Sequence, residues 1–279
     1  LCLPVFLGVK TPRERFAGAT STMTCEGMMG DGKALQMATS HELGQNFAKA
    51  FDIKYLGDDG VEHHCWTTSW GASSRLVGGL IMGHGDDAGL VIPPKLAPAE
   101  AIVLSVRDEP EVTEAAAKIH AALTEAGVRS QLDRSTQSFG RRVTDWEIKG
   151  VPVRVEVGPR DLAEGKVTVA RRDSGEKAQV DLAAAASAVS EAISSIQSGL
   201  YAAALARRDG RTEDVSTLDE AMEAAQSGFA RIAWGAVGAE GEAALNAKAV
   251  SVRCLQRADG SVPDSGDEEG LVAIVARSY

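Results

Sequence analysis

Apolar and polar positions follow different periods along the chain. Ile102-Val103-Leu104-Ser105-Val106 is a short apolar run and reads as a buried strand. Val112, Ala115, Ala116, Ile119 and Leu123 then recur at helical spacing until Gly127, which ends the helix. Val151, Val153, Val155 and Val157 alternate with Pro152, Arg154 and Glu156, the period-two pattern of a half-buried strand. Residues 167–170 predict another strand. Val189, Ile193, Ile196 and Leu200 then line one face of a long alanine-rich helix. Strands alternating with helices predict a compact α/β domain over residues 96–208.

The flanking stretches read differently. Residues 1–95 are rich in Gly, Met, Thr, Ser and His, and close on Leu90-Val91-Ile92-Pro93-Pro94, where paired prolines mark a boundary. Residues 209–279 read as a third unit. In it Thr217-Leu218-Asp219-Glu220 fits a capping box, in which hydroxyl and carboxylate satisfy free N–H groups at a helix start. Residues 257–270, acidic and Gly/Ser-rich, predict a loop, and Leu271-Val272-Ala273-Ile274-Val275 a closing strand.

Composition narrows the classes. A chain of 279 residues, 44 % hydrophobic, can bury a real core and divides into two or three domains. A net charge of −10 argues against indiscriminate coating of nucleic acid but leaves room for a local basic patch. No run approaches the roughly 18 apolar residues of a membrane span. The apolar opening, Leu1 to Leu7, lacks the basic flank and cleavage site of a signal peptide. Cys2, Cys25, Cys65 and Cys254 are scattered, which suits free thiols in a reducing cytoplasm. A chain that starts with Leu inside an apolar run is expected to be truncated.

Several clusters carry chemistry. Gln36, Thr39 and His41 stand in Asp31-Gly32-Lys33-Ala34-Leu35-Gln36-Met37-Ala38-Thr39-Ser40-His41 and offer an amide, a hydroxyl and an imidazole to a small polar ligand. On spacing alone the stretch reads better as a polar turn before a helix lined by Leu43, Phe47 and Phe51. Thr67-Thr68-Ser69-Trp70-Gly71-Ala72-Ser73-Ser74-Arg75 sets Gly beside Trp and ends in an arginine whose fork suits phosphate or carboxylate. His84-Gly85-Asp86-Asp87-Ala88-Gly89 reads as a tight turn. His63-His64-Cys65 lacks metal-ligand spacing, since neighbours on a strand face opposite ways. Arg141, Arg142, Trp146, Glu147, Lys149, Arg154, Arg160, Arg171, Arg172 and Lys177 give a basic stretch with an aromatic. That suits unstacked RNA bases and phosphates, or equally an ion-paired strand face.

Taken together these segments resemble prolyl-tRNA synthetases, class II enzymes, in the form without an inserted editing domain and with an extra C-terminal domain. The resemblance rests on Asp31 to Gln36, Thr39-Ser40-His41, Leu43-Gly44-Gln45-Asn46-Phe47-Ala48-Lys49-Ala50-Phe51, Thr68-Ser69-Trp70-Gly71, His84-Gly85-Asp86-Asp87 and Leu90 to Pro94. It continues through Trp146-Glu147-Ile148-Lys149-Gly150-Val151-Pro152, Glu156-Val157-Gly158-Pro159-Arg160-Asp161, Arg171-Arg172-Asp173 and Arg277-Ser278-Tyr279.

The resemblance implies an α/β (α+β overall) architecture. Residues 1–95 would be part of an antiparallel class II catalytic core, 96–208 an α/β anticodon-binding domain, and 209–279 a small α+β C-terminal domain. It implies a cytoplasmic proline–tRNA ligase that activates proline with ATP and Mg²⁺ and charges tRNA(Pro), a homodimer at full length and not bound to membrane. Arg75 would be the catalytic arginine. Gln36, Thr39, Ser73 and Arg75 would bind ATP, and His41, Ser69, Trp70 and Gly71 proline. Arg142, Glu147, Lys149, Arg154, Arg160 and Arg171 would meet the anticodon, and Tyr279 would reach towards the catalytic site. Motifs 1 and 2 are missing and would lie before Leu1, so the chain alone is expected to be inactive and its dimerisation open. Relatives hold zinc with cysteines in the last domain. Here Cys254 stands alone and the matching segment reads Pro263-Asp264-Ser265-Gly266-Asp267, so no zinc is expected. The rival readings are a non-catalytic tRNA- or partner-binding paralogue and a class II synthetase for threonine, glycine or histidine.

Overall fold

A computed structural model describes residues 1–279. Its contacts group the chain into two compact units, Leu1–Cys2 with His84–Ala204, and Leu3–Gly83 with Leu205–Tyr279. Three segments were expected from composition; instead the first and last share one sheet.

The first segment supplies β1 (Val5–Val9), β2 (Ser21–Met28), β3 (Ala34–Gly44), α1 (Asn46–Ala50), the hairpin β4 (Lys54–Leu56) and β5 (Glu62–His64), β6 (Thr67–Ala72) and α2 (Arg75–His84). The middle segment supplies β7 (Ala101–Ser105), α3 (Pro110–Glu125), β8 (Ser130–Leu132), α4 (Phe139–Ile148), β9 (Val153–Val157), α5 (Pro159–Ala163), β10 (Lys166–Arg171), β11 (Lys177–Asp181) and α6 (Ala185–Gly210). The last segment supplies β12 (Thr212–Val215), α7 (Leu218–Ala224), β13 (Phe229–Ala233), α8 (Trp234–Asn246, interrupted at Gly238), β14 (Ser251–Gln256) and β15 (Val272–Ala276).

The middle segment forms a five-stranded sheet in the order β11-β10-β9-β7-β8, parallel where β7 meets β8 and β9 and antiparallel beyond. The helical stripe Val112, Ala115, Ala116, Ile119 and Leu123 is buried against it. Pro110 opens α3, where its missing N–H costs nothing, and Gly127 follows the helix at φ +80°. The half-buried reading of residues 151–157 needs correction. Every residue of β9 is buried, because the strand is central and covered on both faces. Its polar members survive burial by pairing: Arg154 Nε donates to Glu156 Oε1 at 2.8 Å.

The other unit is built on an eight-stranded sheet, β12-β13-β15-β14-β1-β2-β3-β6, antiparallel except for β12 with β13. β1 and β14 close the seam between the first and last segments, with Val9 opposite Leu255. A Cβ at Gly8 would collide with the Leu255 carbonyl and the Cys254 side chain, so only glycine allows this approach. The capping box forms as the sequence predicts, Thr217 accepting from Glu220 N–H and the Glu220 carboxylate from Thr217 N–H. The predicted turn at 84–89 also forms, with Asp86 and Gly89 exchanging backbone bonds.

Two buried polar groups tie this unit together. Glu26, fully buried, accepts at Oε1 from Lys10 Nζ (2.8 Å) and Thr24 Oγ1 (2.7 Å). Its Oε2 accepts from Arg253 Nε (3.0 Å) and Nη2 (2.9 Å). Burial pulls the Lys10 ammonium below its usual range, and the Glu26 carboxylate offsets part of that. Elsewhere Thr11 Oγ1 donates to buried Glu242 at 2.6 Å. Burial raises the Glu242 carboxyl above its ordinary range, with the Thr11 bond opposing. A raised folded-state carboxyl binds its proton more tightly than the unfolded chain does. Its contribution is therefore present at low pH and lost as pH climbs through the folded value. Glu242→Gln keeps an acceptor for Thr11 and has no charge to desolvate. It is expected to raise the melting temperature by a few degrees at pH 8, with the gain shrinking towards pH 4 in a calorimetric series.

Candidate functional site

β3 carries most of the predicted ligand-facing groups, between β2 and β6. Residues of a strand alternate faces, so directly opposed residues on neighbouring strands share one. Glu26 opposes Gln36, Thr24 opposes Thr39 and Thr22 opposes His41; on the other side Gly71 opposes Thr39 and Ser69 opposes His41. The registers show that Gln36, Thr39, His41, Ser69 and Gly71 lie on one face. An unbroken strand would put Gln36 and Thr39 on opposite faces, three residues being an odd number. A β-bulge restores them: Cys25 opposes Ala38 and Glu26 opposes Gln36, leaving Met37 as the extra residue. Met37 packs with Leu35, Leu76 and Met82 on the face covered by α2.

The stretch read as a polar turn before a helix is thus mostly strand, and the helix at Asn46–Ala50 is a single turn. Trp70 opposes Ser40, not His41, so strand alternation turns it away from the predicted proline-binding residues, 81 % exposed on the other face. His41 is held at both ring nitrogens: Thr22 Oγ1 lies 2.9 Å from Nδ1 and Thr39 Oγ1 3.0 Å from Nε2. Phe16 stands against the same ring, centroid to centroid 4.9 Å. Phe16 and Thr22 escaped the sequence reading. Thr22, Thr24 and Glu26 do alternate along β2, a period-two polar row that marks one face as a site floor.

Arg75 begins α2 just beyond the end of β6. Its backbone N–H donates to Ser73 Oγ (3.2 Å), and Nη1 reaches the Gln36 carbonyl at 3.4 Å. Ser73 thus shapes the turn that presents Arg75, and the guanidinium, exposed, sits over the Gln36 end of the floor. Tyr279 stacks under Lys33 Nζ, 5.0 Å from the ring centroid, and its hydroxyl meets Asp31. Burial and that carboxylate push the phenol up to about 12. The C-terminus is thereby tied to the β2–β3 turn, and Ser278 bridges to Ala34, two residues from Gln36.

In the other unit a cavity of about 490 Å³ opens at the carboxyl ends of β7 and β8, where open parallel sheets bind ligands. Arg107, Asp133, Arg134, Phe139 and Arg142 line it. Arg142 is largely structural, its Nη2 donating to Ser105 O at 2.5 Å; its Nε, buried, has no partner. Asp133 accepts from Trp146 Nε1 at 2.5 Å. The remaining anticodon candidates separate by exposure and pairing. Arg154 is engaged by Glu147 and Glu156, and Arg171 by Asp173 and Ser195. Lys149 rides 4.1 Å above the Trp146 ring, and Arg160 is exposed on α5. Only Arg142 of the predicted set lines the cavity.

No group of three or more His, Cys, Asp or Glu side chains is placed to hold a metal. His63 instead pairs with Asp59 at 2.9 Å. In the 257–270 loop Arg257 donates to Glu268, Asp264 and the Val262 carbonyl, all within 3.0 Å. No helix is long and apolar enough to cross a membrane.

Comparison with known proteins gives the following similarities. The anticodon binding domain family matches residues 100–192. The chain is 64 % identical to a proline–tRNA ligase of Frankia casuarinae, over all of this chain and 60 % of that protein. It is 53 % identical to proline–tRNA ligase 2 of Streptomyces avermitilis, again over all of this chain and 60 % of the relative. Among solved structures it is similar to Cryptosporidium parvum prolyl-tRNA synthetase complexed with L-proline and AMP. That match has TM-score 0.86 and 30 % identity, covering 100 % of this chain and 62 % of the other. The same synthetase complexed with halofuginone and AMPPNP gives TM-score 0.87. The chain spans about 60 % of the length of these curated relatives. Matched along its whole length at such identity, the chain is similar to about three-fifths of these proline–tRNA ligases and prolyl-tRNA synthetases.

Proposed function

We propose that this chain is the part of a proline–tRNA ligase that holds ATP and proline on the β3 floor and the tRNA anticodon at the β7–β8 cavity. The observation that carries the first half is the shared face of Gln36, Thr39, His41, Ser69 and Gly71, with Arg75 at its edge. In the reaction proposed, the proline carboxylate attacks the α-phosphorus of ATP and pyrophosphate leaves. The terminal hydroxyl of tRNA(Pro) then attacks the activated carbonyl and releases AMP. Such a displacement depends on placement and on compensating charge on the phosphate oxygens more than on an acid or base.

Arg75 supplies that charge, and its fork is free of any carboxylate partner. Gln36 and Thr39 face the nucleotide, and Ser73 sets the Arg75 turn. His41 has both ring nitrogens occupied by hydroxyls, so it bounds the proline site as a ring wall beside Phe16, with Ser69 and Gly71 opposite. Trp70 is left out of the site. Magnesium enters with ATP, held largely by phosphate and water. In this reading the ligase is cytoplasmic and acts as a homodimer.

For the anticodon, Phe139 offers a stacking surface and the exposed Arg134 a cation at the cavity mouth. Arg154 and Arg171 are spent on internal pairs and act through the fold.

Two measurements test the proposal. With the chain joined to the part of the Frankia casuarinae relative that it does not span, Arg75→Ala is expected to cut proline-dependent ATP–pyrophosphate exchange by roughly a hundred-fold or more. Exchange equal to the parent's rejects the role of Arg75. With the chain alone, Phe139→Ala is expected to weaken binding of tRNA(Pro) about ten-fold, the worth of one stacked base, at fixed salt. Equal loss for a tRNA of unrelated anticodon would reject the cavity as the reader.

A further inference from the structure

Arg253 lies in the last segment, 227 residues from Glu26 in sequence, yet its guanidinium fork closes on the β2 carboxylate that faces the same way as Gln36. It is itself the extra residue of a second bulge: Val252 opposes Val275 and Cys254 opposes Ile274, and Arg253 stands between them. Glu26 in turn is the residue at which the β2–β3 register shifts around Met37. One buried ion pair thus links two bulges, one in each sequence segment.

Stability alone does not account for such a pair. Removing a carboxylate and a guanidinium from water costs several kcal/mol, and apolar replacements of similar volume are often as stable or more so. What a buried, directional pair supplies is register. A slip of one residue in β3 would send Gln36 to the α2 side and bring apolar groups onto the floor. With Lys10 and Thr24 on one carboxylate oxygen and the Arg253 fork on the other, Glu26 has four fixed donors, which pin its backbone position opposite Gln36.

We infer that Arg253 is a positioning residue of the nucleotide site: through Glu26 it holds the Met37 bulge that sets Gln36 on the same face as Thr39 and His41. The last segment therefore takes part in amino-acid activation without touching a substrate. The inference rests on the proposed activity for its consequence, though not for its geometry.

Hydrogen exchange on the chain itself tests the geometry. Arg253→Met is expected to speed exchange of amides 36–39 by about ten-fold or more while amides of β12 and β13, in the same sheet, keep their rates. Acceleration spread evenly over the sheet would make Arg253 a general stabiliser, and no acceleration would make the bulge independent of it; either overturns the inference. Should Arg253→Met fail to fold, Arg253→Gln, which keeps one donor in place of the fork and leaves Glu26 paired with Lys10, is read by the same criteria. In the active chimera, Arg253→Met is expected to raise KM for ATP about five-fold or more with KM for proline within about two-fold, and Arg253→Lys to recover part of the difference. A parent-like KM for ATP with a lowered melting temperature would overturn it. A parent chimera without exchange activity would instead reject the proposed reaction, leaving the amide measurement to decide on Arg253.

Discussion

A strand sends successive side chains to opposite faces, so two groups three residues apart cannot serve one ligand unless the strand is interrupted. β3 is interrupted once, at Met37, and everything assigned to the floor depends on it. On the site side of the bulge Gln36 joins Thr39 and His41; on the other, Met37 and Leu35 both remain in the apolar layer under α2. α2 in turn begins at Arg75, so the packing of Leu76 and Met82 against that layer fixes where the guanidinium emerges. Floor and cation are positioned by the same small core. A substitution that changes Met37 volume would therefore move groups that it never contacts.

In the middle unit, counting basic residues overstated what is available to a partner. Arg154, Lys177 and Glu156 form one cluster across β9 and β11, Arg171 closes on Asp173, and Arg172 closes on Asp86 at 2.8 Å. The Arg172 bond holds the Asp86 carboxyl below its ordinary range. These cations are consumed in making polar strands compatible with burial. Among the groups left for a ligand are those at the loops after β7 and β8, where Arg134 and Phe139 have no such duty.

Much of the fold was legible because period and composition report burial directly. The α3 stripe, the capping box at Thr217, the α6 face and the closing strand all follow from residue spacing, and the structure contains them. What was not legible depends on partners distant in sequence. Val151 to Val157 alternates like a half-buried strand, but the companions that bury Arg154 and Glu156 come from other elements. Glycine, methionine and threonine around residue 36 look like a turn, since a bulge has no residue signature of its own. Trp70 could be assigned to a face only once its partner on β3 was known. The grouping of residues 209–279 with the first segment needed the β1–β14 seam, whose one sequence trace is Gly8.

Two arginines four positions apart on the last segment show how burial changes what an ion pair does. Arg257 gathers Asp264, Glu268 and the Val262 carbonyl at the surface. There solvent screens each pair and its net worth is small, and the gain is order in a Gly- and Ser-rich loop that has little apolar surface to fold around. Arg253 meets one carboxylate with the same fork under full burial, where solvent cannot replace a lost partner. Breaking that pair would leave the buried carboxylate only Lys10 and Thr24, so alternative registers of β2 and β3 are excluded more strongly than the native one is stabilised. The same side chain organises a loop in one place and selects a register in the other. The difference lies in the dielectric around it, not in the bond it makes.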